Sequence, residues 1–230
     1  MWLPPTFKAV LGLEPSEWMM APSERLALLG LIFLLEPKQV LELGCGDGGL
    51  TRWLARLVPQ VTTVDLDPDV NRTCKSLGNV SGLCMTTEEA LKQFANQGRR
   101  FDLVIIDAEH STHGAKTDLE GALCLSDVIL MHDTFRPACR IGLQRALADK
   151  DVYANLDLVE GGLQPDGLWG GLGIVVTWLP STSRTFVTQR HSVYPRLRRL
   201  YHRQLWRRQI LQFPASMRYR VGTWLRRNSD

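Results

Sequence analysis

The sequence has no paired cysteine motif, no long apolar run and no repetition, and each absence removes a class. Its five cysteines (45, 74, 84, 124 and 139) are odd in number and form no CxxC pair. They read as reduced, mostly buried thiols of an intracellular protein, which excludes a disulfide-stapled secreted scaffold. The most apolar run, Leu26–Leu35, is ten residues and is interrupted by Gly30. A membrane span needs about 20 residues, so this is a core helix. Met1-Trp2-Leu3-Pro4-Pro5 has neither a basic segment nor a small-residue cleavage site, so no signal peptide is expected. Repeats and low-complexity tracts are missing, and a hydrophobic content of 44% excludes disorder. The expectation is a cytoplasmic protein, soluble or at most peripheral to a membrane. A chain of this length buries roughly 70% of its unfolded surface and needs no staple to fold.

Charge is present, and it is unevenly placed. From Arg184 onward there are twelve Arg, no Lys and one acid, a net +11. The first 183 residues hold 15 bases against 23 acids, a net −8. The division expected is an irregular segment over 1–21, a folded domain over 22–180, a polar linker over 181–193 and an arginine-rich helical tail over 194–230. The aromatics of the first segment look exposed.

Within the domain, helical and extended patterns alternate. Ser23 is placed to cap a helix over about 24–35. Gln39–Leu43, Val61–Leu66, Val80–Met85, Phe101–Asp107 and Asp127–Met131 read as strands separated by helices near 50–57, 69–77, 88–94, 115–124 and 138–148. The run Phe101–Asp107 is continuous enough to be buried on both faces. Five such strands specify a parallel sheet with right-handed crossovers. Leu156–Val159 and Gly173–Trp178, joined by the Gly-rich stretch 161–173, have no room for a crossover helix and form an antiparallel edge pair. The fold expected is α/β, a Rossmann-like, doubly wound, mostly parallel seven-stranded sheet with C-terminal helices.

The sharpest motif is Glu42-Leu43-Gly44-Cys45-Gly46-Asp47-Gly48, directly after a strand and before a helix. Glycines at 44, 46 and 48 let the backbone turn tightly and approach a ligand where a Cβ would collide. Asp65 ends the next strand, placed to accept both hydroxyls of a ribose. A dinucleotide fold wants GxGxxG and a pyrophosphate at the helix N-terminus. Here acids at 42 and 47 flank the loop, which repels a pyrophosphate and suits a ligand with a cationic amino group and sulfonium. On these residues the chain, over about 24–178, resembles the class I S-adenosylmethionine-dependent methyltransferases. The resemblance implies cofactor contacts from Glu42, Gly44, Gly46, Gly48, Asp65, Asp107 and, near the adenine, Thr86 and Thr87.

A second group sits at the next strand ends: Asp107, Glu109 and His110, then His132 and Asp133. Adjacent parallel strands bring these ends together beside the glycine loop. Carboxylates and imidazoles there suit a divalent cation such as Mg²⁺, which could lower the pKa of a substrate hydroxyl. His110 is placed to take the proton. The segment IDAEHSTHGAKTDLEGALCLSDVILMHDT is similar to the metal-dependent sugar O-methyltransferases related to macrocin and mycinamicin methyltransferases and to the cephalosporin-hydroxylase-like family. That likeness implies Asp107 and Asp133 as metal ligands and His110 as base, with Asp118-Leu119 as the intervening element. His132 stands where the family has a third carboxylate, so it joins the expected metal set of Asp107, His132 and Asp133. A softer nitrogen donor favours transition metals over Mg²⁺.

The function expected is methyl transfer to a hydroxyl of a sugar or glycosylated small molecule. The alternatives are a metal-independent small-molecule methyltransferase, with Asp107 and Asp133 structural, and a non-catalytic nucleotide-binding scaffold. Phe135, Arg136 and Arg140 are placed to line the acceptor pocket, and Trp169 to stack on a sugar or act as a lid. His113 reads as solvated; His191 and His202 carry no signal. Three readings fit the arginine-rich tail: a helix packed on the acidic body or on a partner subunit, an anionic membrane surface, and nucleic acid.

Overall fold

The computed structural model describes residues 18–164 and 167–178, with side chains left out over 162–169. A helix, α1 (Pro22–Leu35), precedes five β-α units: β1 (Gln39–Leu43), α2 (Gly49–Leu57), β2 (Gln60–Asp65), α3 (Asp69–Cys74), β3 (Val80–Cys84), α4 (Thr87–Asn96), β4 (Leu103–Ile106), α5 (Thr112–Leu123), β5 (Val128–Met131) and α6 (Pro137–Leu147). Then come β6 (Tyr153–Val159), a small hairpin β7 (Gly162–Gln164) and β8 (Gly167–Trp169), and β9 (Leu172–Val176). The main sheet has seven strands in the order β3-β2-β1-β4-β5-β9-β6. The first five are parallel, and β9 runs antiparallel to both β5 and β6. This is the expected Rossmann-like sheet. Its edge pair starts earlier than the apolar pattern indicated, because the Tyr153–Asn155 stretch already pairs with Ile174–Val176.

Alternation along the strands explains the two layers. Leu41 and Leu43, Val104 and Ile106, and Ile129 and Met131 face one cluster with Phe94, Leu119 and Leu143 from α4, α5 and α6. Val40, Leu103, Ile105, Val128 and Leu130 face the other, with Leu28, Leu29 and Ile32 of α1 and Leu50 and Leu54 of α2. Strands buried on both faces must be apolar at nearly every position, which is why Glu42 stands out.

Two local expectations are corrected. Ser23 is not the cap of α1: Ala21 occupies that position, Pro22 takes the first helical turn, and Glu24 accepts a hydrogen bond from the Ala21 N–H at 2.7 Å. Trp18, expected exposed, is 3% exposed and packs with Met20 against the α1 layer. Among the described residues no helix is long and apolar enough to cross a membrane. The linker and arginine-rich tail, with His191 and His202, and the Trp169 side chain lie outside the described residues.

The order places a switch point between β1 and β4, where the chain has wound outward one way and then the other. Ligands of such sheets bind there, outside the carboxyl ends of the strands. The register continues one rung past each strand: Gly44 N–H bonds to Val64 O at 2.8 Å, Asp107 N–H to Leu43 O at 2.8 Å, and His132 N–H to Ile106 O at 2.9 Å. Gly44, Asp107 and His132 therefore stand level in one row.

Candidate active site

The glycine loop takes the backbone its sequence permits. Gly44, Gly46 and Gly48 have φ of 91°, 50° and 74°. At Gly44 the reason is contact, since a Cβ there would lie 2.0 Å from the Asp107 carbonyl oxygen. Asp65 reaches back to this loop. Its Oδ2 accepts from Cys45 N–H at 2.8 Å and Gly46 N–H at 2.9 Å, and its Oδ1 from Asp67 N–H at 2.9 Å. Cys45 is buried behind the loop, its sulfur 3.3 Å from Thr51 Oγ1.

A cavity of about 570 Å³ opens over the loop and falls within the usual range of ligand sites. Its walls include Glu42, Gly44, Gly46, Asp65, Thr86, Thr87, Asp107 and His110, and Trp18, Met20 and Met85 give it an apolar side. On its floor Glu42 is fully buried. One oxygen accepts from Thr51 Oγ1 at 2.7 Å, and the Thr63 hydroxyl also faces the carboxyl. Burial pushes this carboxyl up to about 8, against the opposing bond from Thr51. Both threonine hydroxyls are engaged by protein: Thr86 caps α4 through Glu89, and Thr87 Oγ1 donates to Asp118 Oδ1 at 2.6 Å.

At one end of the cavity five ionisable side chains meet. His110 Nε2 lies 2.9 Å from Asp133 Oδ2 and 3.8 Å from Asp107 Oδ1. His132 Nδ1 lies 2.9 Å from Asp107 Oδ1, and its Nε2 lies 3.3 Å from Glu24 Oε2. Asp133 sits at a φ of 54°, in the left-handed region, and its Oδ1 accepts from Gly170 N–H at 2.5 Å. Burial opposes charge on these acids, yet the histidines prevail and hold Asp107, Asp133 and Glu24 below the usual carboxylate range. Hydrogen bonds to Asp107, then Asp133, push His110 up to about 9. Burial disfavours charge on His132, but Asp107 outweighs it and raises that ring well above its usual value.

Donor atoms of Asp107, His110 and Asp133 lie within 4.8 Å of one another, a set able to hold a divalent ion. This differs from the expected set of Asp107, His132 and Asp133. Both nitrogens of His132 already face carboxylates, and its side chain is 8% exposed.

Part of the sequence, and the fold, are similar to those of known proteins. Residues 40–124 match the family model described as a methyltransferase domain. Over residues 40–124 the chain is thus similar to a methyltransferase domain, set in a Rossmann-like sheet. Uncharacterized methyltransferases of Mycobacterium tuberculosis and Mycobacterium bovis are each 34% identical over 122 residues, 51% of this chain and 61% of theirs. The chain thus spans about three-fifths of the length of the curated relatives it matches. Its fold is similar to the O-methyltransferase from Bacillus cereus solved with S-adenosylhomocysteine, at TM-score 0.57 and 21% identity over 76% of this chain and 92% of that one. It is also similar to TomG of Streptomyces achromogenes, an O-methyltransferase of tomaymycin synthesis solved with S-adenosylmethionine, at TM-score 0.54 and 17% identity over 76% and 91% of the two chains.

Other side chains near the site are placed differently from expectation. Arg140 is buried and pairs with Asp157 at 2.7 and 3.0 Å, so it braces α6 on β6 and does not line a pocket. Phe135 is likewise in the core, while Arg136 is half-buried, 3.9 Å from Asp133. His113 is exposed, as expected. Glu24 is a residue that the sequence did not single out, because nothing local marks it as a neighbour of His132, 108 residues away.

Proposed function

We propose that the chain is an S-adenosylmethionine-dependent O-methyltransferase whose acceptor hydroxyl enters at Asp107, His110 and Asp133. One observation carries the reading: the cavity over the glycine loop and the acid–imidazole cluster meet at Asp107 and His110. A donor held along Gly44–Gly48 would be bordered by Glu42 and Asp65, and its reactive end would face the cluster. S-adenosylmethionine supplies an electrophilic methyl group on a sulfonium centre. The protein's part is to align the two reactants, which lowers the barrier by fixing them before reaction.

The acid–imidazole donor set fits a divalent cation. Asp107, His110 and Asp133 would hold it, and it would lend acidity to the acceptor hydroxyl. A metal-independent reading rests on the 2.9 Å contact of His110 with Asp133, the arrangement of an imidazole oriented by a carboxylate. In that reading Asp107 and Asp133 orient His110. A sugar or glycosylated acceptor is supported by the likeness of the segment 106–134 to sugar O-methyltransferases.

Calorimetry with S-adenosylhomocysteine tests the donor site, and heat in the absence of NAD binding is the expected result. Methyl transfer from labelled S-adenosylmethionine to a panel of glycosides, with Mg²⁺, Mn²⁺ or a chelator, separates the two enzyme readings. His110→Ala is expected to lower turnover roughly 10²–10⁴-fold with S-adenosylhomocysteine affinity unchanged. Undiminished turnover removes His110 from the chemistry.

A further inference from the structure

Glu24 belongs to α1, outside the strand ends that supply the rest of the site, yet it is 2% exposed and its carboxylate lies inside the cluster. Its Oε2 accepts from Ala21 N–H at 2.7 Å and faces His132 Nε2 at 3.3 Å; its Oε1 accepts from Gly171 N–H. Gly170, one residue earlier, donates its N–H to Asp133 Oδ1 at 2.5 Å. The turn after β8 is therefore pinned to both Glu24 and Asp133, and a Cβ at Gly170 would lie 2.4 Å from Glu24 Oε1. On the other side of the ring, His132 Nδ1 lies 2.9 Å from Asp107 Oδ1.

We propose that Glu24 is a positioning residue of the site: it fixes the His132 ring at Nε2, so that Nδ1 holds the Asp107 carboxylate beside His110. The chemistry of the contacts demands a carboxylate. Two partners of Glu24 are backbone N–H donors on different oxygens, and the third is a ring nitrogen. Gln at this place would turn an NH₂ group against one of these donors, and a buried donor facing a donor costs the full desolvation of both. Asp falls one methylene short. His132 has a carboxylate at each nitrogen, at 2.9 and 3.3 Å, and this pair of contacts locks the ring against rotation. Asp107 is thereby set by a helix that supplies no residue to the cavity wall, as outer partners of metal-site side chains do. The role in methyl transfer rests on the proposed function; the geometry of the ring does not.

The test uses the full chain labelled with ¹⁵N-histidine. In the wild type, both ring N–H protons of His132, assigned by their loss in His132→Gln, are expected to be shielded from exchange and visible downfield. In Glu24→Gln the Nε2–H signal is expected to vanish while S-adenosylhomocysteine still binds, and turnover on a glycoside acceptor falls about 10–100-fold with KM for the donor held. A wild-type spectrum without the Nε2–H signal overturns the proposal, and this holds even if the variant fails to fold. So does a Glu24→Gln spectrum unchanged from wild type, or a kcat loss matched by an equal loss of donor affinity. Failure of the wild type to bind S-adenosylhomocysteine counts against the methyltransferase reading and leaves the ring signals to decide the role of Glu24.

Discussion

Asp118 is 1% exposed on α5, with Thr87 Oγ1 on one oxygen and no hydrogen bond among the described residues on the other. Burial pushes its carboxyl up to about 6, against the bond from Thr87, and the charges of Glu109 and Glu88 add to the rise. The consequence for stability has a definite sign. Below the ordinary aspartate range both folded and unfolded chains keep the proton, so nothing is lost. As pH rises from about 4 to about 6 the unfolded chain sheds its proton first, and stability falls by an amount on the order of 2–3 kcal/mol. Asn keeps an acceptor for Thr87 and has no charge to bury. Asp118→Asn should therefore melt several degrees above wild type at pH 7.5, with the gap closing at pH 4.5. A gap that does not change with pH, read by calorimetric or fluorescence melts, sinks the assignment. The same residue could also be read, by resemblance, as an element of the site; its side chain instead ties α5 to the start of α4.

At the scale of elements, the β1–α2 loop shows how two glycines of one motif differ. Gly44 stands at φ 91° with the Asp107 carbonyl oxygen where a Cβ would go, and that obstacle is backbone. Gly46 stands at φ 50° with nothing within 4 Å of its Cβ position. Gly46→Ala should cost only the left-handed backbone, about 1 kcal/mol, and spare the fold. Gly44→Ala must also push β1 and β4 apart at their ends, so a larger loss, about 3 kcal/mol, is expected together with loss of S-adenosylhomocysteine binding. Equal chemical-denaturation midpoints for the two variants would contradict this. The loop was legible in the sequence because its requirements are local: three glycines, a strand before and a helix after. Likewise the alternation of apolar positions in β1, β4 and β5 identified buried strands without any tertiary knowledge. What escaped was set by partners distant in the chain. Arg140 reads as a polar residue beside the site until Asp157 is seen to take both guanidinium nitrogens. Nothing near His132 in the chain announces Glu24, which comes from α1 to face its second nitrogen.

For the whole molecule, the dominant fact is a charge division that the fold of the domain does not explain. Residues 184–230 carry +11 and the remainder −8. The arginines alternate at near-helical spacing with Leu197, Leu200, Tyr201, Leu205 and Trp206, and again around Met217, Val221, Trp224 and Leu225, a sequence pattern suited to a bilayer surface. Each basic residue near an anionic membrane contributes about 1 kcal/mol, screened over a Debye length of about 8 Å at physiological salt. On the membrane reading, the full chain should float with vesicles rich in anionic phospholipid at low ionic strength and detach as salt is raised, whereas a chain ending at residue 183 should stay behind. On the competing reading the arginines are neutralised by the acidic body of the same or a second copy, so neither chain floats and the shorter one melts at a lower temperature. Because one outcome needs free positive charge and the other needs it consumed, flotation and melting measured on the same pair of proteins decide between them.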